Sequence, residues 1–214
     1  MAATTRVQVF ARAPISGTAK TRLIPRIGAD AAANLQTILT DRALTTALAS
    51  DIGPVELWCS PDDSHPSFRA WGARGVRLLT QSGTNLGERM QCAISSALSS
   101  GDNAVLIGSD CPNLSTHDLH EAVKGLDGQT EWVFAPAEDG GYVLVAVSPG
   151  AHRSLPHLFD GIDWGSDRVM EQTRLRMRKH AQQWRELATQ WDIDRPEDYD
   201  RLLRELPGLL AALA

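Results

Sequence analysis

Residues 103–112 read NAVLIGSDCP, in which a nearly continuous apolar run ends at Gly108 and is followed closely by Asp110. Runs of this kind are typical of a parallel strand that is covered by helices on both faces. We therefore predict a buried strand over 103–108, with Asp110 just beyond its carboxyl end. Ligands of open α/β sheets collect at that end, so this carboxylate is a candidate functional group.

Strand and helix patterns alternate on both sides of this run. Strands are predicted at 6–11, 55–59, 76–80, 103–108, 132–135, 142–147 and 186–190, and helices at 30–50, 86–98, 115–124, 167–178 and 196–206. The polar stretch around Pro61 and Pro66 is predicted as loop. This alternation predicts an α/β fold with a mixed, mainly parallel sheet between helices. We expect a single domain over 1–214.

Composition limits the class of partner. The formal net charge is −5, whereas a general binder of nucleic acid or of a membrane surface needs a positive field. The N-terminus lacks the apolar stretch of a signal peptide, and no run approaches the ~20 apolar residues of a membrane span. The scattered Cys59, Cys92 and Cys111 predict free thiols. We expect a cytoplasmic protein that binds neither nucleic acid nor membrane, and the sequence leaves a homodimer open.

The cationic end of the chain is the first candidate site. No Asp or Glu occurs over residues 1–29, whereas five Lys or Arg residues fall there. Within this segment residues 11–23 read ARAPISGTAKTRL. The turn at Gly17, together with Lys20 and Arg22, has the composition of a phosphate-binding loop. The glycine spacing of a P-loop is absent, which excludes that motif, and the alternative is a basic loop whose side chains face water.

Two acidic segments are candidate metal ligands. GSDCP, residues 108–112, places Asp110 after the central strand, and Mg²⁺ binds one or two carboxylates together with phosphate oxygens. In DIDRPED, residues 192–198, alternation would turn either Asp192 or Asp194 inward. Asp110 could equally cap a turn or a helix, and Asp198 is expected to serve the first turn of the following helix. A cationic loop with two carboxylate sites is the combination that metal–nucleotide binding requires.

Six blocks of the sequence, in order, resemble those of the DUF2064 proteins among the GT-A nucleotide-diphospho-sugar transferases. They are FARAPISGTAKTRL (10–23), QSGTNLGERM (81–90), VLIGSDCPNL (105–114), FAPAEDGGYVLVA (134–146), IDWGSDRVMEQT (162–173) and DIDRPEDYDRL (192–202). The resemblance covers nearly the whole chain and implies a GT-A-like three-layer α/β/α sandwich. More distantly, the chain is similar to the molybdenum-cofactor nucleotidyltransferases and the phospholactate guanylyltransferases.

The resemblance also implies roles for particular residues. The nucleotide-binding set would be Ala11, Arg12, Gly17, Lys20, Arg22, Gln81, Gly87, Arg89 and Asp110, of which Lys20, Arg22 and Asp110 would act in catalysis. Mg²⁺ or Mn²⁺ would be held by Asp110 and Asp194, with Asp192 as a substitute. The acceptor side would be formed by Glu138, Asp139, Gly140, Gly141, Trp164 and Ser166. Residues 108–110 read Gly-Ser-Asp, so this strand offers one carboxylate where the glycosyltransferase Asp-x-Asp motif has two.

Three hypotheses of function follow. The first is metal-dependent glycosyl transfer from a nucleotide sugar to a small-molecule acceptor. The second keeps the same site but couples a nucleoside triphosphate to a phosphorylated small molecule, with release of pyrophosphate. The third is a non-catalytic nucleotide-binding protein.

Overall fold

The computed structural model describes residues 4–211, whose centre is a seven-stranded sheet. The strands are β1 (Thr5–Arg12), β2 (Val55–Ser60), β3 (Arg77–Thr80), β4 (Asn103–Gly108), β5 (Trp132–Pro136), β6 (Tyr142–Val147) and β7 (Trp184–Glu186). They are ordered β3-β2-β1-β4-β6-β5-β7. Strand β6 runs antiparallel to its neighbours β4 and β5, and the other pairs are parallel. The sheet is therefore mixed and mainly parallel, as predicted.

Helices cover both faces of the sheet. They are α1 (Ile24–Ile27), α2 (Ala29–Ala49), α3 (Pro66–Gly72), α4 (Leu86–Leu98), α5 (Thr116–Lys124), α6 (Leu155–Phe159), α7 (Val169–Lys179), α8 (Pro196–Glu205) and α9 (Pro207–Ala211), with 3-10 turns at Thr21–Leu23 and Pro149–Arg153. One face packs against α2, α3 and α5, and the other against α4, α6 and α7. A smaller cluster around Leu35, Trp191 and Leu202 joins α2 to the C-terminal segment. The predicted α/β fold class is confirmed.

The central strand β4 is apolar because both of its faces are buried. Val105 and Ile107 point into the core on one face of the sheet, and Ala104 and Leu106 into the core on the other. All four side chains are buried. Because both faces are covered, a polar residue at either register would lose its contact with water. The strand ends at Gly108, as predicted, and Asp110 follows at the carboxyl edge.

Several elements differ from the predictions, among them the short helices α1 and α6, which were not predicted. The stretch predicted as loop contains α3, which begins at Pro66 and buries Phe68 and Trp71 on one side. A proline fits the first turn of a helix, so Pro66 starts this helix instead of marking a loop. The last strand was expected at 186–190 but lies at Trp184–Glu186, where it pairs with β5. Partly buried Trp184 packs on the core beneath β5, which sets this register.

Several expectations concern the chain as a whole. Cys59, Cys92 and Cys111 are free thiols, as predicted, and burial raises the pKa of Cys59 and of Cys111 to about 12. Among the helices over residues 4–211, none is both long and apolar enough to cross a membrane. Residues 1–3 and 212–214 of the expected domain lie outside the described residues, and a single domain over 1–214 stays a prediction.

Candidate active site

Lys20 joins the start, the middle and the end of the chain at the carboxyl edge of the sheet. Its Nζ lies 2.9 Å from Asp110 Oδ1 and also donates a hydrogen bond to the carbonyl of Ile193. The Lys20 side chain is 3% exposed, whereas that of Asp110 is 45% exposed. The amide of Ile193 donates to the carbonyl of Asp110 at 3.0 Å, which ties the same segments through the backbone. The basic loop and both acidic segments therefore meet.

A second ion pair lies beside the first. Arg22 pairs with Asp194, and both side chains are largely accessible to solvent. Asp198 Oδ2 accepts hydrogen bonds from the amides of Asp194 and Arg195, at 3.0 and 2.7 Å, and so caps α8. This cap fixes the turn that carries Asp194, with buried Ile193 preceding it.

One cavity of about 690 Å³ opens at the carboxyl ends of β1, β2 and β4, and we call it the cationic cavity. Its charged lining consists of Arg12, Lys20, Arg22, Arg89, Asp110 and Asp194, and its uncharged lining includes Ala11, Gln36, Gln81, Thr84, Asn85, Leu86 and Ser109. Seven of the nine residues expected to bind nucleotide lie on this wall. Gln81 is fixed there by a hydrogen bond of 2.8 Å from its side-chain amide to the carbonyl of Trp58.

The other two expected nucleotide-binding residues, Gly17 and Gly87, do not line the cationic cavity. Gly17 is exposed on the outer side of the loop, where its φ of +83° serves the turn. Gly87 is buried, and a Cβ placed there would lie 2.2 Å from Nε1 of Trp164. The structure therefore assigns Gly87 a packing contact beneath the indole ring.

A second cavity of about 680 Å³ adjoins the first, and we call it the acidic cavity. Its charged lining consists of Glu138, Asp139, Asp167, Asp192, Asp194, Asp198, Arg22 and Arg195, and its apolar lining includes Leu86, Met90, Tyr142, Trp164 and Trp191. The two cavities share Arg22, Leu86 and Asp194. Gly141 and Ser166 also line the acidic cavity, so five of the six expected acceptor-side residues lie on its wall.

Gly140, the sixth, supports that wall from behind. It has a φ of +91°, and a Cβ there would lie 1.8 Å from the carbonyl oxygen of Asp167. Its own carbonyl accepts a hydrogen bond of 2.8 Å from the amide of Met170 at the start of α7. A residue with a side chain would meet both backbone strain and this close approach.

Electrostatics single out Asp192 within the acidic cavity. Burial is the largest effect on its carboxyl group, and the negative charges of Asp139 and Asp110 add to it. Lys20 opposes them, and the pKa of Asp192 is raised to about 7. The carboxyl group therefore holds a proton more readily than an ordinary Asp.

The side chains of the cleft do not by themselves form a complete metal site among the described residues. Among the residues that the structure describes, no group of three or more His, Cys, Asp or Glu side chains is arranged to hold a metal ion. Accessible carboxylates are nevertheless present on the cavity walls in Asp110 and Asp194, with Asp192 beyond them. Mg²⁺ commonly binds through one or two carboxylates, substrate phosphates and water, and this donor set matches that pattern.

Some lining residues carried no clear signal in the sequence. Gln36 on α2 is 3% exposed, and its side-chain amide donates to Ser109 Oγ at 3.1 Å, next to Asp110. A glutamine among the apolar residues that α2 turns to the core was the available sign. Arg195 lines the acidic cavity and Asn85 the cationic cavity, although neither was individually assigned a role.

Solved structures share this fold over nearly the whole chain. A Desulfovibrio desulfuricans protein, provisionally described as a nucleotide-diphospho-sugar transferase, is 28% identical, with 98% of each chain covered and a TM-score of 0.83. A nucleotidyl transferase from Methanothermobacter thermautotrophicus is 15% identical over 98% of this chain and 99% of that one, with a TM-score of 0.65. CMP:2-keto-3-deoxy-manno-octonic acid synthetase, solved with CTP, is 12% identical over 99% and 100%, with a TM-score of 0.62.

The sheet order, the layers and the cleft at the strand ends define the class, a nucleotide-diphospho-sugar transferase-like fold. Within that class, the model of the DUF2064 family, described as uncharacterized proteins conserved in bacteria, matches residues 43–166. The chain belongs to the DUF2064 family. The match includes the blocks at 81–90, 105–114 and 134–146, whereas the loop at 10–23 and the segment at 192–202 lie outside it. No curated protein matches the chain in sequence.

Proposed function

We propose that this protein is a metal-dependent transferase that moves a glycosyl group from a nucleotide sugar to a small acceptor. The observation that carries the proposal is the pair of adjoining cavities, one rich in cations and one rich in carboxylates, which share Arg22 and Asp194. A donor with its phosphates in the cationic cavity would present the transferred group at the shared boundary. The description of the Desulfovibrio desulfuricans protein as a nucleotide-diphospho-sugar transferase supports the same assignment.

The proposed reaction needs positioned charges more than a nucleophilic side chain. A hydroxyl oxygen of the acceptor attacks the anomeric carbon, whose bond to the phosphate oxygen breaks. The nucleoside diphosphate leaves with that electron pair, and the hydroxyl proton passes to a cavity carboxylate or to water. Lys20 and Arg22 would stabilise the charge that develops on the departing phosphate.

Asp110 and Asp194 would hold the Mg²⁺ or Mn²⁺ ion, with Asp192 as a substitute. When bound, the ion would supply further positive charge to the phosphates. The ion pairs of Lys20 with Asp110 and of Arg22 with Asp194 keep these cations and carboxylates at adjacent positions. We therefore expect the donor to bind tightly only when the metal ion is present, and the metal ion to bind tightly only together with the donor.

A second candidate is nucleotidyl transfer from a nucleoside triphosphate. Two solved neighbours that are nucleotidyl-transferring enzymes by name match at least 98% of this chain in fold, and this fold serves that reaction as well. In this case the acceptor's phosphate attacks the α-phosphate, and pyrophosphate leaves. The third hypothesis, nucleotide binding without catalysis, would require the same cationic cavity but no turnover.

Product analysis separates these functions. The protein is incubated with nucleotide sugars or nucleoside triphosphates, Mg²⁺ or Mn²⁺, and a mixture of small acceptors, and the nucleotide products are resolved. We expect a nucleoside diphosphate, with release reduced at least about a hundredfold in Asp110→Asn. Glu121→Gln on α5, which lines neither cavity, is the matched control. Pyrophosphate as product would favour the second candidate, and binding without turnover would favour the third.

A further inference from the structure

The acidic cavity has one apolar wall that is held rigid by aromatic packing. Trp164 stacks on Phe159, with ring centroids 5.7 Å apart and planes at 24°, and meets Tyr142 edge-on at 6.4 Å. Leu86 extends the wall and is 45% exposed. Burial raises the pKa of Tyr142, so its phenol adds no charge to this wall. A fixed indole beside an exposed leucine suits a flat apolar face of a ligand.

The charged lining of the cavity is strongly acidic. Six carboxylates line the cavity against two arginines. Glu138 is paired with Arg201, and Asp194 with Arg22. Within residues 4–211, the lining residues Asp139, Asp167 and Asp192 form no ion pair.

This charge acts on any ligand that enters. A phosphate placed in the acidic cavity would lie among carboxylates, whereas the adjoining cationic cavity offers it four cations and two carboxylates. Repulsion between like charges contributes to specificity, because it disfavours one ligand while favourable contacts select another. The cationic cavity therefore favours an anionic ligand, whereas the acidic cavity favours a ligand without negative charge.

We infer, on the basis of the proposed function, that the acceptor is an uncharged or cationic hydroxyl compound with an apolar ring face, and that phosphorylated acceptors are excluded. The ring lies against Trp164, and the hydroxyl groups face the carboxylates, which accept hydrogen bonds from them. The reacting hydroxyl points towards Arg22 and Asp194, where the cavities meet. This acceptor class favours glycosyl transfer over coupling to a phosphorylated molecule.

Matched probes that share a ring and differ in one neutral, cationic or phosphorylated substituent test this inference. Two sets are phenethyl alcohol, phenethylamine and phenethyl phosphate, and glucose, glucosamine and glucose phosphate. Binding is measured by saturation-transfer NMR with wild type and with Trp164→Ala. We expect the neutral and cationic members to bind wild type and to lose binding in the variant. Phosphorylated members should bind at least about tenfold more weakly, a ratio that corresponds to about 1.4 kcal/mol.

A second variant tests the charge without removing the wall. Asp139→Asn combined with Asp167→Asn removes two exposed charges, and the new amide oxygen at 139 can still accept the hydrogen bond from the amide of Gly141. We expect this double variant to bind the phosphorylated probes at least about threefold more tightly, because repulsion falls. Asp62→Asn with Glu121→Gln changes the net charge equally outside both cavities and should leave probe binding unchanged.

The inference is overturned if phosphorylated probes bind wild type as well as their neutral partners, or if no probe shows binding that depends on Trp164 or on the two carboxylates. Nucleotide binding is measured in the same samples. Loss of metal-dependent nucleotide binding would contradict the proposed function alone. Normal nucleotide binding with a preference for phosphorylated probes would contradict the acceptor class alone.

Discussion

Lys20 adopts the left-handed backbone conformation, with φ 48° and ψ 45°, and sends its ammonium group inward to Asp110 and Ile193. This conformation is uncommon for a residue with a side chain, and such residues concentrate where the surrounding structure enforces them. Arg22, two residues later, is 63% exposed. The two cations of the loop therefore differ, because Lys20 is buried against Asp110 and Ile193 whereas Arg22 is exposed at the boundary of the two cavities.

The raised pKa of Asp192 predicts that the stability of the protein depends on pH. The pKa is about 7 in the folded protein and 3.8 for an ordinary Asp. Because the folded state binds this proton more tightly, its contribution is complete below pH about 4 and is lost as the pH rises through about 7. With allowance for solvent screening, we expect metal-free wild type to lose about 1–2 kcal/mol over this range relative to Asp192→Asn.

Urea denaturation at several pH values in the presence of a chelator measures this difference. The Asn variant is the matched control, because it keeps the size of the side chain and removes the titration. If the free energies of unfolding of the two proteins changed in parallel with pH, the pKa of the Asp192 carboxyl group would not be raised.

The start of α4 packs closely against the loop that carries Trp164, because Gly87 has no side chain at the point of contact. A Cβ at position 87 would lie 2.2 Å from the indole nitrogen, so Gly87→Ala must displace the ring or the helix. We expect a loss of about 1–3 kcal/mol in the free energy of unfolding, as in other overpacked sites, with a changed tryptophan fluorescence spectrum.

Gly208→Ala in α9 is the control for this substitution, since a Cβ there meets nothing within 4 Å. It should leave the fluorescence and the stability close to those of wild type. An unchanged spectrum and stability in Gly87→Ala would contradict the packing described here.

Some helices and strands could be predicted from local sequence and others could not. Helix α4 and strands β4 and β6 have the predicted bounds, because apolar runs with glycine, proline or cap residues at their ends mark them locally. Helix α3 was missed because Pro66 signals a turn as readily as a helix start. The contact between Gly87 and Trp164 joins residues distant in sequence, and no local pattern reports it.

Across the whole molecule, the cleft divides into halves of opposite charge. The sequence predicted that the basic loop and the acidic segments meet, and the resemblance supplied most of the charged lining residues. Pairing within the site was not predicted, since Lys20 with Asp110 and Arg22 with Asp194 depend on side-chain directions. Under the proposed function, metal and phosphate would bind together, with Asp110 and Asp194 holding the cation and Lys20 and Arg22 contacting the phosphates.

Joint binding of metal and phosphate is tested by thermal denaturation with nucleoside diphosphates, nucleotide sugars and triphosphates, each with and without Mg²⁺ or Mn²⁺. At about 100 times its dissociation constant, a matching nucleotide should stabilise the protein by about 2.7 kcal/mol when the metal is present. The stabilisation should be much smaller without metal and in Arg22→Ala or Asp110→Asn. If no nucleotide stabilises wild type in a metal-dependent way, or if both variants respond like wild type, joint binding of metal and phosphate in this cleft is contradicted.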